Sequence, residues 1–275
     1  MRYHEIRPSA DLAPFVSCFW ELEADGNDVG EPIFPDGCVE IVFHLGDRPR
    51  RVAEAARQPR LMIVGQMTTA IRLEAAARIH AIGVRFTPAG ARAWLASPVR
   101  ELTGRIEDAA AVLPRPASRL QTAVEDAVTT SDRFGQIETA LRTTLRPSAI
   151  DRTVMRAVDV VSARHGCVTV DLLANISGMS ARQLERRFLE AVGLPPKTFT
   201  RIVRFQRALE GLRAGVPPAV AAATAGFADQ SHLAREFRRF AGAPARDIDL
   251  ARVAFIQDAA IPAAAGSSAC TRSSL

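Results

Sequence analysis

A short stretch near the C-terminus, residues 225–240, constrains this chain most. It reads Ala225-Gly226-Phe227-Ala228-Asp229-Gln230-Ser231-His232-Leu233-Ala234-Arg235-Glu236-Phe237-Arg238-Arg239-Phe240. Gly226 marks a tight turn into a short helix. Leu233, Phe237 and Phe240 fall at i, i+4 and i+7, so the helix has one apolar face to bury. Gln230, Ser231, Arg235 and Arg238 fall on the opposite side. Amide, hydroxyl and guanidinium groups presented together from a helix N-terminus suit base edges and phosphates in a DNA major groove.

A second unit of the same plan lies upstream, at residues 172–192. Leu172-Leu173-Ala174-Asn175-Ile176 predicts a short helix, and Gly178 supplies the turn. Ser180 is the natural N-cap of the helix that follows. Leu184 and Phe188 face inward, while Arg182, Glu185 and Arg186 face outward with Arg187 flanking. Arg can grip guanine or a phosphate, and Glu can accept from cytosine N4. Taken alone, such a helix is equally an ordinary charged surface helix. The spacer changes that judgement. From Pro195-Pro196 to about Ala214 the pattern is one continuous helix, stopped by Gly215 and Pro217. Roughly 20 helical residues span about 30 Å, close to the ~34 Å between successive major-groove faces on one side of B-DNA.

Charge agrees in direction. Through residue 149 there are 18 Arg against 19 acidic residues. From 150 to 250 there are 15 basic against 10 acidic, so the excess lies with the paired helices. Lys197 is the only lysine. Hydrophobic residues at 48% and charged residues at 24% predict a soluble globular chain. No apolar run approaches the roughly 18–20 residues of a membrane span, and no signal-peptide core is identified at the N-terminus, so the expected location is cytoplasmic. Cys18, Cys38, Cys167 and Cys270 are scattered, without metal-ligand spacing, and read as isolated thiols. His4, His44 and His80 form no HxH metal pattern. Neither a metal nor a cofactor is expected.

The first half reads as β-rich. Strands are expected at 15–22, 39–45, 61–64, 70–73 and 79–86. Val39, Ile41, Phe43 and Leu45 alternate with Glu40, Val42 and His44, as a half-buried strand would. The Arg- and Ala-rich run 48–58 reads as a surface loop. Pro88 is expected to open a helix to about Leu95. Residues 101–146 read as two or three more helices, broken near Pro114 and Pro116. The expected fold class is therefore α+β: a small barrel or sandwich with helices, followed by an all-α domain. The domains are set at 1–147 and 148–250, with Ser148 capping a helix over 149–165, and the tail 251–275 is expected to be disordered at its end, after about Pro262.

These motifs together resemble the double helix-turn-helix DNA-binding domain of AraC/XylS-type bacterial transcription regulators. The resemblance rests on Leu173-Ala174, Ser180, Leu184-Glu185-Arg186-Arg187-Phe188, Gly193-Leu194-Pro195-Pro196-Lys197, Arg201 with Arg204-Phe205-Gln206-Arg207-Ala208, and residues 226–238. It implies that Arg182, Glu185 and Arg186 face the groove in the first unit and Gln230, Ser231 and Arg235 in the second. It assigns phosphates to Arg187, Arg201, Arg238 and Arg239, which would position without specifying. One departure is that Gly242-Ala243-Pro244 is a residue shorter than the family's spacing, which bears on how the last helix packs.

The first half is similar to the amino-terminal domain of one AraC-type subgroup. The matching pieces are Leu12-Ala13-Pro14-Phe15-Val16, Phe19-Trp20, residues 35–43, Val64-Gly65-Gln66-Met67 and residues 83–90. That implies a cupin-like barrel that senses a small molecule or mediates a homodimer, in a regulator whose partners are double-stranded DNA and RNA polymerase. Trp20, Phe43, Gln66, Met67 and Arg85 are the candidate lining residues; side chains that merely fill a small barrel are the plainer reading of each. The competing class is an enzyme, a cupin-type oxygenase or an alkyl-transfer protein with a DNA-binding domain attached. Its one nucleophile candidate is Cys38, with no adjacent base in view.

Overall fold

The computed structural model describes residues 2–25, 32–53, 56–74 and 77–250. Its first part is built on a six-stranded antiparallel sheet, in the order β1 (Arg2–Ile6), β2 (Val16–Asp25), β9 (Arg78–Phe86), β4 (Glu40–His44), β7 (Leu61–Val64), β10 (Ile106–Asp108). Two two-stranded ribbons accompany it: β3 (Pro32–Ile33) with β8 (Ile71–Arg72), and β5 (Arg50–Arg51) with β6 (Ala56–Arg57). The β5–β6 ribbon lies in the run expected to be a loop.

Both faces of the sheet carry a buried cluster. On one, Phe19, Ile41, Phe43, Ile63, Ile82, Val84 and Phe86 pack with Leu120, Val124, Phe134, Ile137 and Leu141. Those last five belong to α2 (Pro114–Asp126) and α3 (Thr130–Thr144), which follow the single turn α1 (Ala109–Val112). On the other face lie Cys18, Trp20, Leu22, Val42, Met62, Ile79 and Ala81. β4 is accordingly buried on both sides, with Val42 at 5% and His44 at 3% exposure, not half-buried as its alternation implied. Gly83 is opposite Trp20 in the register, and a Cβ there would fall 2.2 Å from the indole, so glycine makes the room that Trp20 fills.

Between the two halves the local expectations needed three adjustments. Pro88 leads only to a 3₁₀ turn, Gly90–Ala93. Residues 106–108 form β10, too short to carry a period of its own, and placed by pairing with β7. Ser148 caps nothing; residues 147–149 form a 3₁₀ turn, and the next helix is capped by Asp151, whose carboxylate accepts from the amides of Thr153 and Val154.

The second part is all helical: α4 (Arg152–Ala163), α5 (Val170–Ile176), α6 (Ala181–Val192), α7 (Pro196–Arg213), α8 (Pro218–Thr224) and α9 (Gln230–Ala241). Its core gathers Leu184, Phe188, Phe199, Phe205, Phe237 and Phe240 around α7, every one of them fully buried. Phe205 alone meets the rings of Phe237 and Phe240 at 4.9 and 5.4 Å. The shortened Gly242-Ala243-Pro244 leads to one 3₁₀ turn, Ala245–Asp247, and Ile248 completes the core. The fold class is as expected, an antiparallel sheet-rich first domain and a helical second one. Residues 251–275, the tail whose end is expected to be disordered, lie outside the described residues. No helix among the described residues is long and apolar enough to cross a membrane. Cys18 and Cys38 are buried thiols in no disulfide, but Cys167, also read as an isolated thiol, is disulfide-bonded.

Candidate nucleic-acid interface

Two helices are presented in the same manner. α6 follows a turn at Gly178, with φ +63°. The Ser180 hydroxyl accepts from the Gln183 amide at 3.3 Å while the Gln183 side chain accepts from the Ser180 amide at 2.9 Å, a reciprocal capping box. α9 follows a turn at Gly226, with φ +76°, and Asp229 caps it by accepting from the His232 amide at 2.7 Å. Each helix sinks its apolar stripe into the core. Each leaves its first turn in solvent, where unpaired backbone N–H groups and the helix dipole favour an anion.

The expected base-reading side chains lie on those free faces. Arg182, Glu185 and Arg186 on α6 are exposed, as are Gln230, Ser231 and Arg235 on α9. Arg238 and Arg239 are exposed on α9 as well, with Arg239 stacked on the Phe240 ring. None of these groups forms an ion pair among the described residues. Ser180 is exposed, but its hydroxyl serves the capping box.

Arg187 and Arg201 are placed otherwise. Arg187 reaches Asp151 with two nitrogens, at 2.6 and 2.7 Å, and ties α6 to α4. Burial works against the Asp151 charge, but Arg187 and the capped amides outweigh it and hold the carboxyl below its usual range. Arg201 grips Glu236 with two nitrogens and ties the spacer α7 to α9. Glu236 is only 4% exposed. Both pairs set the orientation of a reading helix. Neither Asp151 nor Glu236 is expected as a partner from the sequence; the available signal for Glu236 is an acid beside the stripe of Leu233, Phe237 and Phe240, and for Asp151 its place just before α4 as an N-cap.

The five expected lining residues of the first domain divide. Trp20 and Arg85 belong to the sheet face away from α2 and α3, whereas Phe43 points to the helix side and packs in that core. Gln66 donates to the Gly37 carbonyl at 2.9 Å, and Met67 is half-buried in the loop after β7. Arg85, fully buried, sits among three carboxylates: Glu40 at 2.7 Å, Glu5 at 3.4 Å and Asp36 at 3.6 Å. Tyr3 donates to Glu5. Burial raises Glu40 to about 7 and raises Asp36 too, against the pull of Arg85. Trp20 Nε1 and Arg85 Nη2 are buried with no hydrogen-bond partner among the described residues. The three carboxylates escaped notice because each occupies an otherwise unremarkable strand or turn position.

Cys38 is in this region and is not activated. Burial and then the Asp36 charge push its thiol well up, opposite to what a nucleophile needs. Among the described residues, metal-ligating side chains gather only at Glu21, Glu23 and His80. There Glu21 is already engaged by His80 at 2.8 Å and by Thr130 at 2.9 Å.

A chain of this architecture is one in which a sheet-rich domain precedes two helix-turn-helix units on a shared spacer. Comparison with known proteins agrees. Residues 173–249 match the family described as "Helix-turn-helix domain". Residues 4–108 match a "Domain of unknown function (DUF6597)". Among curated proteins the chain is 36% identical over 66 residues to YbfI of Bacillus subtilis, described as an uncharacterised HTH-type transcriptional regulator. That match covers 24% of each chain, so it speaks for about a quarter of the relative's length. Among solved structures it is similar to ToxT from Vibrio cholerae at 10% identity and TM-score 0.48, covering 86% of this chain and 98% of that one. A second ToxT structure gives 10% identity and TM-score 0.46, covering 86% and 97%.

Proposed function

We propose that this protein is a sequence-specific DNA-binding transcription regulator that lays α6 and α9 into successive major grooves. The observation that carries the reading is the pair of N-capped, solvent-facing helices on one spacer. At 18 residues that spacer is ~27 Å long. Arg182, Glu185, Arg186, Gln230, Ser231 and Arg235 read bases, and Arg238 and Arg239 hold phosphates. Arg187 and Arg201 act indirectly, by orienting the two helices. Units at 1–147 and 148–250 divide sensing from reading, in the cytoplasm. The first domain tunes the second through a small molecule or a partner, as a homodimer contact or toward RNA polymerase. Two buried donors without partners, Trp20 Nε1 and Arg85 Nη2, favour a small-molecule acceptor on that sheet face.

The test is a genome-fragment binding selection with the purified chain at fixed salt, repeated with Arg186→Ala/Arg235→Ala. A split motif with half-sites about one helical turn apart, lost in the double variant, is expected. Enrichment that survives unchanged in the variant would overturn the docking of these two helices.

A further inference from the structure

Among the described residues, contacts at three places between the two domains touch both reading helices and the spacer between them. The first is the loop between β3 and β4. Phe34, fully buried, leaves its own domain and enters the helical core, edge-on to Phe205 at 5.8 Å. The next residue, Pro35, accepts from the Gln206 side chain through its carbonyl. Gly37, at φ +81°, passes so near α7 that a Cβ would lie 2.7 Å from the Phe199 ring. The second place is the end of α6, where the Gly193 carbonyl accepts from the Thr103 hydroxyl at 2.6 Å. The third is the end of α9, where the Phe240 carbonyl accepts from the Ala70 amide at 2.7 Å.

These anchors leave the reading faces untouched. Arg182, Glu185, Arg186, Gln230, Ser231 and Arg235 remain exposed with the first domain docked. A domain that inhibited by covering would bury some of them. Contacts on α6, α7 and α9 at once instead restrict how the two heads can move against each other.

We propose that the first domain is a brace, in which Phe34 and the loop through Gly37 act as positioning residues that hold the two reading helices at the separation two half-sites require. The inference rests on the DNA-reading function proposed above. Its physical basis is pre-organisation. A second head held in place engages its half-site at high effective concentration, whereas a loosened one must first be ordered. Binding of one half-site alone does not draw on that term. The brace therefore acts on two-site affinity and leaves single-site affinity alone.

The experiment uses the full chain and a fluorescein-labelled duplex recovered from the selection, beside the same duplex with either half-site scrambled. Phe34→Ala removes the inserted ring, and Gln206→Ala is the milder variant that leaves the apolar core intact. Helical content and cooperative unfolding establish that each is folded. Phe34→Ala is expected to weaken binding to the intact duplex about tenfold and to leave both scrambled duplexes within twofold. Gln206→Ala should shift the same ratio in the same direction by less. Equal weakening on all three duplexes, tighter binding, or no change in a folded Gln206→Ala and Phe34→Ala pair would overturn the brace. Wild-type protein that distinguishes no duplex from any other would instead overturn the DNA-reading function.

Discussion

The two helix-turn-helix units share a plan and differ in what surrounds it. Both enter their reading helix from a glycine with positive φ, and both cap it with a side-chain oxygen. Each is also latched by one Arg–carboxylate pair. In the first unit the latch is Arg187–Asp151, open to water, with the two side chains 37% and 21% exposed. In the second it is Arg201–Glu236, at 21% and 5%. The free faces differ too. α6 presents two arginines and Glu185, whereas α9 presents Gln230, Ser231 and three arginines with no exposed acid on that face. A carboxylate gains nothing from phosphate and must find a base-edge donor. On the proposed function, the first unit discriminates and the second grips.

The most damaging way to break the comparison is in the core of the spacer that both units share. Phe205→Ala removes a ring that touches Phe34, Phe237 and Phe240. The expected cost is about 3–5 kcal/mol, the range for an aromatic cut from a close-packed core. Chemical denaturation of the full chain checks it, and a loss below 1 kcal/mol would mean the core collapses around the gap. Next come the two latches. Glu236→Ala leaves the Arg201 guanidinium, whose side chain is 21% exposed, without its carboxylate, at about 2 kcal/mol, under the figure for a fully buried pair. Asp151→Ala removes an N-cap and a solvent-screened bridge, together about 1 kcal/mol. Equal costs in denaturation midpoints would erase the distinction between the latches.

A pH effect belongs to the docked loop. Burial raises Asp36 and Glu40 in the folded chain, so the unfolded chain ionises these groups first. The native state then holds more protons between the ordinary carboxylate range and about 7. Stability falls as pH rises through that window, and levels off above it. The groups facing the pair are Glu5, Tyr3, Cys18, Cys38 and Arg85. Denaturation at about pH 5 and about pH 8 should show the fall, and Glu40→Gln should reduce it. A rise with pH over the same range would reverse the assignment.

The second domain could be read from sequence because its signals are local. Leu233, Phe237 and Phe240 announce a helix face by spacing, and Ser180 announces a cap by its place before an apolar stripe. The first domain could be read in its strands and not in its contacts. Residues 106–108 become a strand only because β7 offers an edge, and β4 is buried on both faces because Val42 joins a second cluster with Trp20, Met62 and Ala81 of β2, β7 and β9. The same limit separates the arginines. Arg186 and Arg187 are neighbours of one type, and only the position of Asp151, 36 residues away, makes one a latch and leaves the other free. Phe34 is the strongest instance. Nothing near it in sequence says that its ring completes the core of the other domain.

The smallest expected effects bear most directly on discrimination against grip. On the proposed function, Arg238→Ala and Arg239→Ala each remove a phosphate contact, so each should lower affinity alike on every duplex and reduce the slope of log K against log salt by about 1. Glu185→Ala should do the reverse. Removing a negative charge from the protein–DNA interface raises affinity for unrelated DNA by a few tenths to about 1 kcal/mol, while preference at the base pair it reads declines. The measurement is a salt titration of all three variants on the selected duplex and on one unrelated sequence. If Glu185→Ala changes both duplexes equally, Glu185 reads no base, and α6 grips the backbone much as α9 does. If it narrows the gap between them, the carboxylate is what makes the first unit the discriminating one.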